Sequence, residues 1–482
     1  MIIDFETLPP EQALDYDICI IGSGPAGMSV ALELMESGRR VAMIESGKVD
    51  YDGEIQELYE GDVVGFDHDP LDACRLRYLG GSSNCWNGWC APFDAIDFEK
   101  RADIPHSGWP ITRDDLKEAY LRAGEICEIG AHEFGDIRDV VPDADYPAFD
   151  QDRIELSYLR YSPPTRFGET YRSVWEAHPN FDLILGANAT QILLDDDRNS
   201  VADITLSGLS GKSQPIRARR FVLACGGNEN ARLLLASNGQ IEAGIGNQND
   251  QVGRYFMEHP YAASGLIFAN GFDPLLQKGR FIDGIEHRAI YRTGTALQRR
   301  KSLLSSILFH KPEPNADTLF SWGNRDLPDD TDETSKEVLL SQSEQAPNPS
   351  SRIMLSERRD RFGHSLALMD WRLGEIDKRC IVENVQALGL EYARLGMGRV
   401  KLADWLLDGD AMWGIGAGTH HMGTTRMGLD PKTSVVDENC KVHGLANLYM
   451  AGASVFTTSS WVNPTLTLMA LAVRLADHLK QA

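Results

Sequence analysis

The chain has 482 residues, enough for two or three lobes around a substantial core rather than one ordinary domain. Hydrophobic residues make up 42% and charged residues 24%, the balance of a globular protein, which excludes a disordered, fibrous or coiled-coil chain. Acidic residues outnumber basic ones 71 to 47, and the net charge of −24 repels phosphate backbones and anionic lipid, so no nucleic-acid or membrane partner is expected.

That acidity either favours a cationic small molecule or simply keeps the protein soluble. Residues 1–17 are acidic and lack a basic start, an apolar stretch or twin arginines, so no export signal is expected. No apolar run reaches the ~18 to 20 residues needed to span a bilayer, and residues 466–475 read as a core helix. The eight cysteines (Cys19, Cys74, Cys85, Cys90, Cys127, Cys225, Cys380, Cys440) show neither a CxxC pair nor zinc-ligand spacing. Cys19 and Cys225 lie in apolar, strand-like runs where a thiol behaves as a small hydrophobe. The expectation is a reduced, cytoplasmic protein without a metal site.

The first informative segment spans residues 17–45. Residues 17–21 open on Asp17 and run into a short apolar stretch rich in β-branched residues, the pattern of a buried parallel strand. They run into Gly22-Ser-Gly24-Pro-Ala-Gly27, then into helical spacing to Gly38, then into a second strand over 40–44 that ends at Glu45. Each glycine has a task in this GxGxxG turn. Gly22 permits the tight bend, Gly24 lets a pyrophosphate approach the backbone, and Gly27 lets helix pack on strand. The helix N-terminus offers free N–H groups and a positive dipole end to the phosphates. Glu45, 18 residues past Gly27, is placed to bind ribose hydroxyls and disfavours a 2′-phosphate. The unit predicts dinucleotide binding, and by itself does not separate FAD from NAD.

Further motifs follow in order. Residues 79–88 read Leu-Gly-Gly-Ser-Ser-Asn-Cys-Trp-Asn-Gly after Arg75 and Arg77, suited to a loop lying against a flavin and its pyrophosphate. Residues 107–116 (Ser-Gly-Trp-Pro-Ile-Thr-Arg-Asp-Asp-Leu) come next. Residues 183–206 read as two strands around a turn at 195–199. Then come Phe-Val-Leu-Ala-Cys-Gly-Gly-Asn-Glu-Asn-Ala-Arg at 221–232, Met-Glu-His-Pro at 257–260 and His-His-Met-Gly-Thr-Thr-Arg-Met-Gly at 420–428. Asn-Leu-Tyr-Met-Ala-Gly-Ala-Ser at 447–454 and Ser-Trp-Val-Asn-Pro-Thr-Leu-Thr at 460–467 close the set. Together, in this order, they resemble the glucose–methanol–choline oxidoreductase family, in its branch of pyranose 2-oxidase and bacterial sugar dehydrogenases. Residues 101–180 and 265–405 match only loosely.

The resemblance selects FAD over NAD. It implies an α/β fold: a Rossmann-like FAD-binding domain from residues 1–100, 181–264 and 406–482, and an α+β substrate domain with a mostly antiparallel sheet from 101–180 and 265–405. It brings Gly80, Gly81 and Ser82 to the flavin, Ala189 to the adenine, and Gly452 and Ala453 to the pyrophosphate and ribityl chain. Asn463, Pro464 and Thr465 would meet the isoalloxazine edge, with the N-terminus of a final helix over 465–479 aimed at the flavin.

The family's base pattern H-x-x-G-T-x-x-M places the proton acceptor at His420, and its second catalytic position, 43 residues later, falls on Asn463. The implied reaction is hydride removal from an alcohol carbon of a sugar, glycoside, aminosugar or similar polyol, with flavin N5 as acceptor. Electrons would pass on to O2, a quinone or a redox protein. The alternative is a catalytic subunit serving a haem or membrane partner. Asn463 also suits a helix cap. His421 is expected to be structural and His259 a hinge between lobes, while His310 and His443 suggest structure only. Where related enzymes carry a histidine linked to FAD, this chain has Cys85; cysteinyl attachment is chemically open, a small buried thiol is the expectation, and dissociable FAD is predicted. Residues 335–351, rich in Ser, Gln, Glu and Pro after the acidic 326–333, read as an exposed loop, either a lid or a plain surface excursion.

Overall fold

The structure, a computed structural model, describes residues 1–142, 146–270, 279–312, 335–408 and 414–481. The chain opens with β1 (Ile2–Asp4), β2 (Leu14–Ile21), α1 (Pro25–Leu34) and β3 (Val41–Glu45), then β4 (Gly61–Gly65) and β5 (Trp89–Cys90). Helix α2 (Lys117–Ile126) precedes β6 (Ile154–Tyr161), β7 (Phe181–Leu185), β8 (Asn188–Leu194), β9 (Val201–Ser207), β10 (Ser213–Leu223) and α3 (Gly226–Ala236). Next come β11 (Pro260–Ala269), β12 (Arg280–Ile282), β13 (Ile285–Thr293), β14 (Ser306–Pro312) and β15 (Ser335–Ser343). The chain ends with β16 (Arg352–Arg359), β17 (Ser365–Trp371), α4 (Glu375–Arg394), β18 (Gly398–Leu402), β19 (Ile415–Ala417), β20 (Leu448–Met450) and α5 (Thr465–Gln481).

The first sheet runs β1-β7-β3-β2-β10-β9-β8, with β20 also on β10. Its centre is parallel: β2 pairs with β3 on one side and β10 on the other, through α1 as crossover. Ile18, Ile20 and Ile21 are buried, which explains their unbroken apolar run. The β8–β9 hairpin closes over residues 195–200 as the 183–206 segment suggested, with β7 added before it as a parallel strand. Helix α1 packs on β2 and β3 of this sheet, α5 packs on α1, and α2 packs on α5, which buries Leu466, Met469, Ala470, Val473 and Leu479 as a core helix should. Among the described residues no helix is long and apolar enough to cross a membrane.

The second sheet runs β18-β11-β15-β14-β13-β6-β5 and is antiparallel throughout, with β12 on β13 and β19 on β11. A small third sheet orders β16-β17-β4. Four strands thus cross the lobe boundaries expected from sequence: β5, β19 and the first half of β11 join the antiparallel sheet, and β4 pairs in parallel with the distant β17.

The expected exposed loop over 335–351 is not one. Residues Ser335–Ser343 form β15, in the middle of the antiparallel sheet between β11 and β14. Ser341, Gln342, Ser343, Glu344 and Gln345 are buried despite their polarity. Their side chains are consumed by hydrogen bonds: Ser306 Oγ to Ser343 Oγ at 2.7 Å, Ser305 N to Glu344 Oε2 at 3.2 Å, and Trp371 Nε1 to Gln345 Oε1 at 3.0 Å. A polar strand satisfied in this way has the composition of a loop. The preceding 326–333 lie outside the described residues.

Candidate active site

One cavity is walled by the turns that follow β2, β3 and β10, by the loop at 74–87 and by residues 418–421 and 463–468, and its wall starts at the C-terminal end of β2. Gly22 has φ of 106°, open to glycine, and a Cβ there would sit 2.5 Å from the Ala224 carbonyl oxygen. A Cβ at Gly27 would lie 2.0 Å from the Gly22 carbonyl oxygen, so α1 can seat on the turn only without one. Gly24 is different: its backbone is ordinary, and a Cβ added there meets no protein atom within 4 Å. It opens into the cavity, with the N-terminus of α1 behind it.

Glu45 ends β3 and is buried on the cavity wall. Its Oε2 accepts from Ser23 N (3.1 Å) and Ser23 Oγ (2.6 Å), and its Oε1 from Gly47 N (3.0 Å). The carboxylate therefore clamps the glycine turn from its place on the cavity wall. Gly81 and Ser82 line the cavity, whereas Gly80 stands behind them, where its N–H donates to Ser23 Oγ at 3.1 Å. Gly27 and Gly80 support the wall; Gly22, Gly24, Glu45, Gly81, Ser82, Ala189, Gly452, Ala453, Asn463, Pro464 and Thr465 form it, together with His420.

The arginines before the double-glycine loop are fixed by a carboxylate. Buried Glu229, on α3, receives Arg75 Nη1 at 2.9 Å and Arg232 Nε at 2.6 Å, with Arg77 at 3.9 Å. Burial would raise the Glu229 pKa, but Arg232, Arg75 and Arg77 override it and bring it down to about 2. Cys85 ends the 3-10 turn Gly81–Asn84, and its thiol is exposed on the cavity wall rather than buried as expected, because the turn points its last residue outward.

At the far end stand two histidine pairs. His259 is fully buried just before β11, and its Nδ1 lies 2.9 Å from Nδ1 of His420. Its Nε2 lies 3.1 Å from the Ser459 carbonyl and 3.0 Å from that of Ser460. It is therefore a direct partner of His420 and not a hinge. Burial lowers the His259 pKa, and burial with His259 alongside lowers that of His420 well below its ordinary value. Both rings are neutral at pH 7.

His421 turns the other way, as its place next to His420 predicts, but it has chemical company. Its Nε2 is 3.3 Å from His68 Nε2, 3.3 Å from Glu258 Oε1 and 3.8 Å from Cys74 Sγ. Among the described residues His68, Cys74 and His421 are the group close enough to share an ion, their donor atoms lying within 4.8 Å of one another. Burial would lower the His68 pKa, yet the Glu258 carboxylate 3.4 Å away raises it. The arrangement is that of a buried ion pair, and a second cation would compete with His68 for Glu258. His443 bonds Ser434 Oγ at 2.9 Å, away from the cavity.

Asn463 does not cap α5. The first helical bond is accepted by Pro464, from Leu468 N at 2.8 Å, and the Asn463 Oδ1 instead accepts from Gln342 Nε2 at 3.0 Å. Gln342 Nε2 also donates to the Trp461 carbonyl at 3.0 Å. Glu258, His259, Gln342 and His68 were thus missed or misread from sequence. A carboxylate and a histidine adjacent before a proline was the available signal for the first two; nothing marked Gln342.

A strand–GxGxxG–helix unit, a double-glycine loop and a helix N-terminus converging on one cavity fit a flavin dinucleotide, and His420 and Asn463 line the same cavity. The fold is that of an FAD-dependent oxidoreductase, and the reaction class that its relatives support is oxidation of CH–OH groups. A model described as GMC oxidoreductase matches residues 347–472, and one described as an FAD binding domain matches residues 15–54. The chain is similar to paromamine 6'-oxidase of Streptomyces fradiae, 25% identical, over 96% of this chain and 90% of that protein. It is 24% identical to pyranose 2-oxidase of Tricholoma matsutake, over 87% of this chain and 76% of that protein. The crystal structure of a formate oxidase shares the fold with a TM-score of 0.63 at 16% identity, covering 97% of this chain and 98% of that one. The match over residues 347–472 is to the glucose–methanol–choline oxidoreductases, the family that the chain as a whole resembles.

Proposed function

We propose that this protein oxidises an alcohol carbon of a sugar or aminosugar, with His420 as the base and Asn463 holding the substrate oxygen. The observation that carries this reading is a neutral His420 on the same cavity wall as Asn463 and the dinucleotide turn. FAD, when bound, supplies the hydride acceptor. His420 takes the hydroxyl proton on the nitrogen not engaged by His259. Gln342 fixes the Asn463 amide by its oxygen, which leaves Nδ2 as a donor toward the developing alkoxide. The N-terminus of α5, at Pro464 and Thr465, sets a positive dipole end beside the reacting region. The net charge of −24 and the likeness to a paromamine oxidase both favour a cationic aminosugar.

In this reading FAD is dissociable, electrons leave to O2, a quinone or a redox protein, and the protein works in the cytoplasm. The FAD lobe takes residues 1–100, 181–264 and 406–482 except for the strands that join the antiparallel sheet, and the substrate lobe takes 101–180 and 265–405 with those strands. The test is anaerobic titration of the holoenzyme with sugars, glycosides, aminosugars and simple alcohols. Bleaching of the flavin by one class, absent in His420→Ala with its flavin spectrum intact, is expected. A His420→Ala variant reduced at wild-type rate overturns the base assignment.

A further inference from the structure

A histidine acts as a base at one nitrogen only if the other carries the proton, so the tautomer of His420 matters as much as its position. In most sites a carboxylate or carbonyl fixes it. Here the partner is a second imidazole, whose own tautomer must be settled first.

The surroundings of His259 settle it. Its Nε2 faces two oxygens, the carbonyls of Ser459 and Ser460, at 3.1 and 3.0 Å. Carbonyl oxygens only accept, so this nitrogen carries hydrogen. Two consecutive carbonyls converge on one atom because Ser460 takes the left-handed backbone, with φ of 57°. The ring is buried and neutral, so its Nδ1 bears a lone pair. That lone pair lies 2.9 Å from His420 Nδ1, a contact that holds only if His420 supplies the hydrogen.

We propose that His259 is a positioning residue that fixes the tautomer of His420, relaying the direction set by the Ser459 and Ser460 carbonyls so that His420 holds its proton on Nδ1 and presents a bare Nε2 to the substrate. The inference rests on His420 being the base. When Nε2 takes the alcohol proton, the Nδ1–H···Nδ1 bond becomes charge-assisted, and His259 then steadies the imidazolium without taking a proton itself.

Other groups facing the pair support this geometry. Glu258 Oε2 accepts from the backbone N–H of His259 (3.0 Å) and of His420 (2.8 Å), holding both residues from behind. Its Oε1 is turned to His68 and His421. Asp97 receives Ser460 Oγ at 2.6 Å, and Ser459 Oγ receives Gln345 N at 2.9 Å, so the two carbonyls are themselves fixed. Glu344, next to Gln345, is buried against the same segment and has its pKa raised to about 7 by that burial.

The test pairs two substitutions with a direct measurement. His259→Leu removes the acceptor at similar volume, and flavin reduction is expected to slow about 100-fold with full FAD and unchanged substrate affinity. His259→Asn keeps an oxygen where Nδ1 stood and is expected to recover to within about tenfold of wild type. Imidazole-15N NMR of the wild-type protein, with and without FAD, reads the tautomers independently of either variant's folding. Protonated Nδ1 on His420 and protonated Nε2 on His259 are expected. The opposite assignment overturns the proposal, as do equal rates in the Leu and Asn variants. A His420→Ala protein that still reduces its flavin overturns the base reading instead.

Discussion

Two glycines of one turn, three residues apart, are expected to respond to the same substitution in opposite ways. At Gly24 the backbone has φ of −68° and ψ of 180°, open to any residue, and the Cβ position meets no protein atom within 4 Å. Valine there should leave the fold intact and occupy only the space of the pyrophosphate. At Gly27 the Cβ position lies 2.0 Å from the Gly22 carbonyl oxygen and 3.3 Å from Ala224 Cβ. Neither can swing aside, since one is backbone and the other is held on the strand end. Relief requires α1 to move more than an ångström off the sheet, costing about 3 kcal/mol or more by comparison with other overpacked cores.

The assay separates the two outcomes. After desalting, Gly24→Val is expected to carry no flavin and to melt where wild-type apoprotein melts. It should lose the rise in Tm that added FAD gives wild type, about 2.7 kcal/mol of stabilisation at a hundredfold excess over Kd. Gly27→Val is expected to melt lower than wild-type apoprotein, whatever FAD is added. Full flavin in Gly24→Val refutes the pyrophosphate reading of that wall. A Gly27→Val apoprotein with wild-type Tm refutes the packing argument.

Because burial holds the His420 pKa well below 6.5, the neutral base persists as pH falls; stopped-flow reduction rates should stay level from pH 8 to 6 and drop only below that, and a midpoint near 6.5 would contradict it. Glu229→Gln leaves Arg75, Arg77 and Arg232 around an uncharged amide and should cost about 3 to 5 kcal/mol in urea unfolding at pH 7. Its folded pKa is depressed, so that contribution is complete above about 4.5 and fades as pH falls toward about 2; equal losses at pH 7 and pH 2 would sink the ion-network account. Gln342→Met should keep FAD but lower the reduction rate about tenfold, the worth of one hydrogen bond to Asn463, and an unchanged rate would show that the amide needs no holding.

What sequence revealed and what it hid divides along a physical line. The dinucleotide wall was legible because its constraints are local: a glycine that must bend, another that must make room, and a carboxylate at the next strand end all act within residues 22–45. The positions of His420 and Asn463 came from motif order. Their partners were hidden because they are joined only by tertiary contact, His259 161 positions from His420 and Gln342 121 from Asn463. Gln342 was further disguised by its neighbours. Polar residues on a central strand look like a loop until each hydrogen bond is known. Cys85 was misjudged because burial was inferred from residue type, whereas the 3-10 turn before it decides which way the thiol faces.

The placing of Glu258 explains how a carboxylate can lie behind His420 without charging it. A carboxylate beside an imidazole ordinarily raises its pKa and favours the imidazolium, which cannot accept a proton. Glu258 avoids this by what each oxygen faces. Oε2 is bound by two backbone N–H groups, those of His259 and His420, while Oε1 meets His68, whose pKa is raised in response. The charge is met at His68 and His421 rather than at the His420 ring. His420 then feels burial and a neutral neighbour and stays unprotonated. Consecutive residues at 258–259 and 420–421 thus build two sites back to back. In one an ion pair anchors the loops, and in the other two neutral imidazoles leave a lone pair toward the cavity.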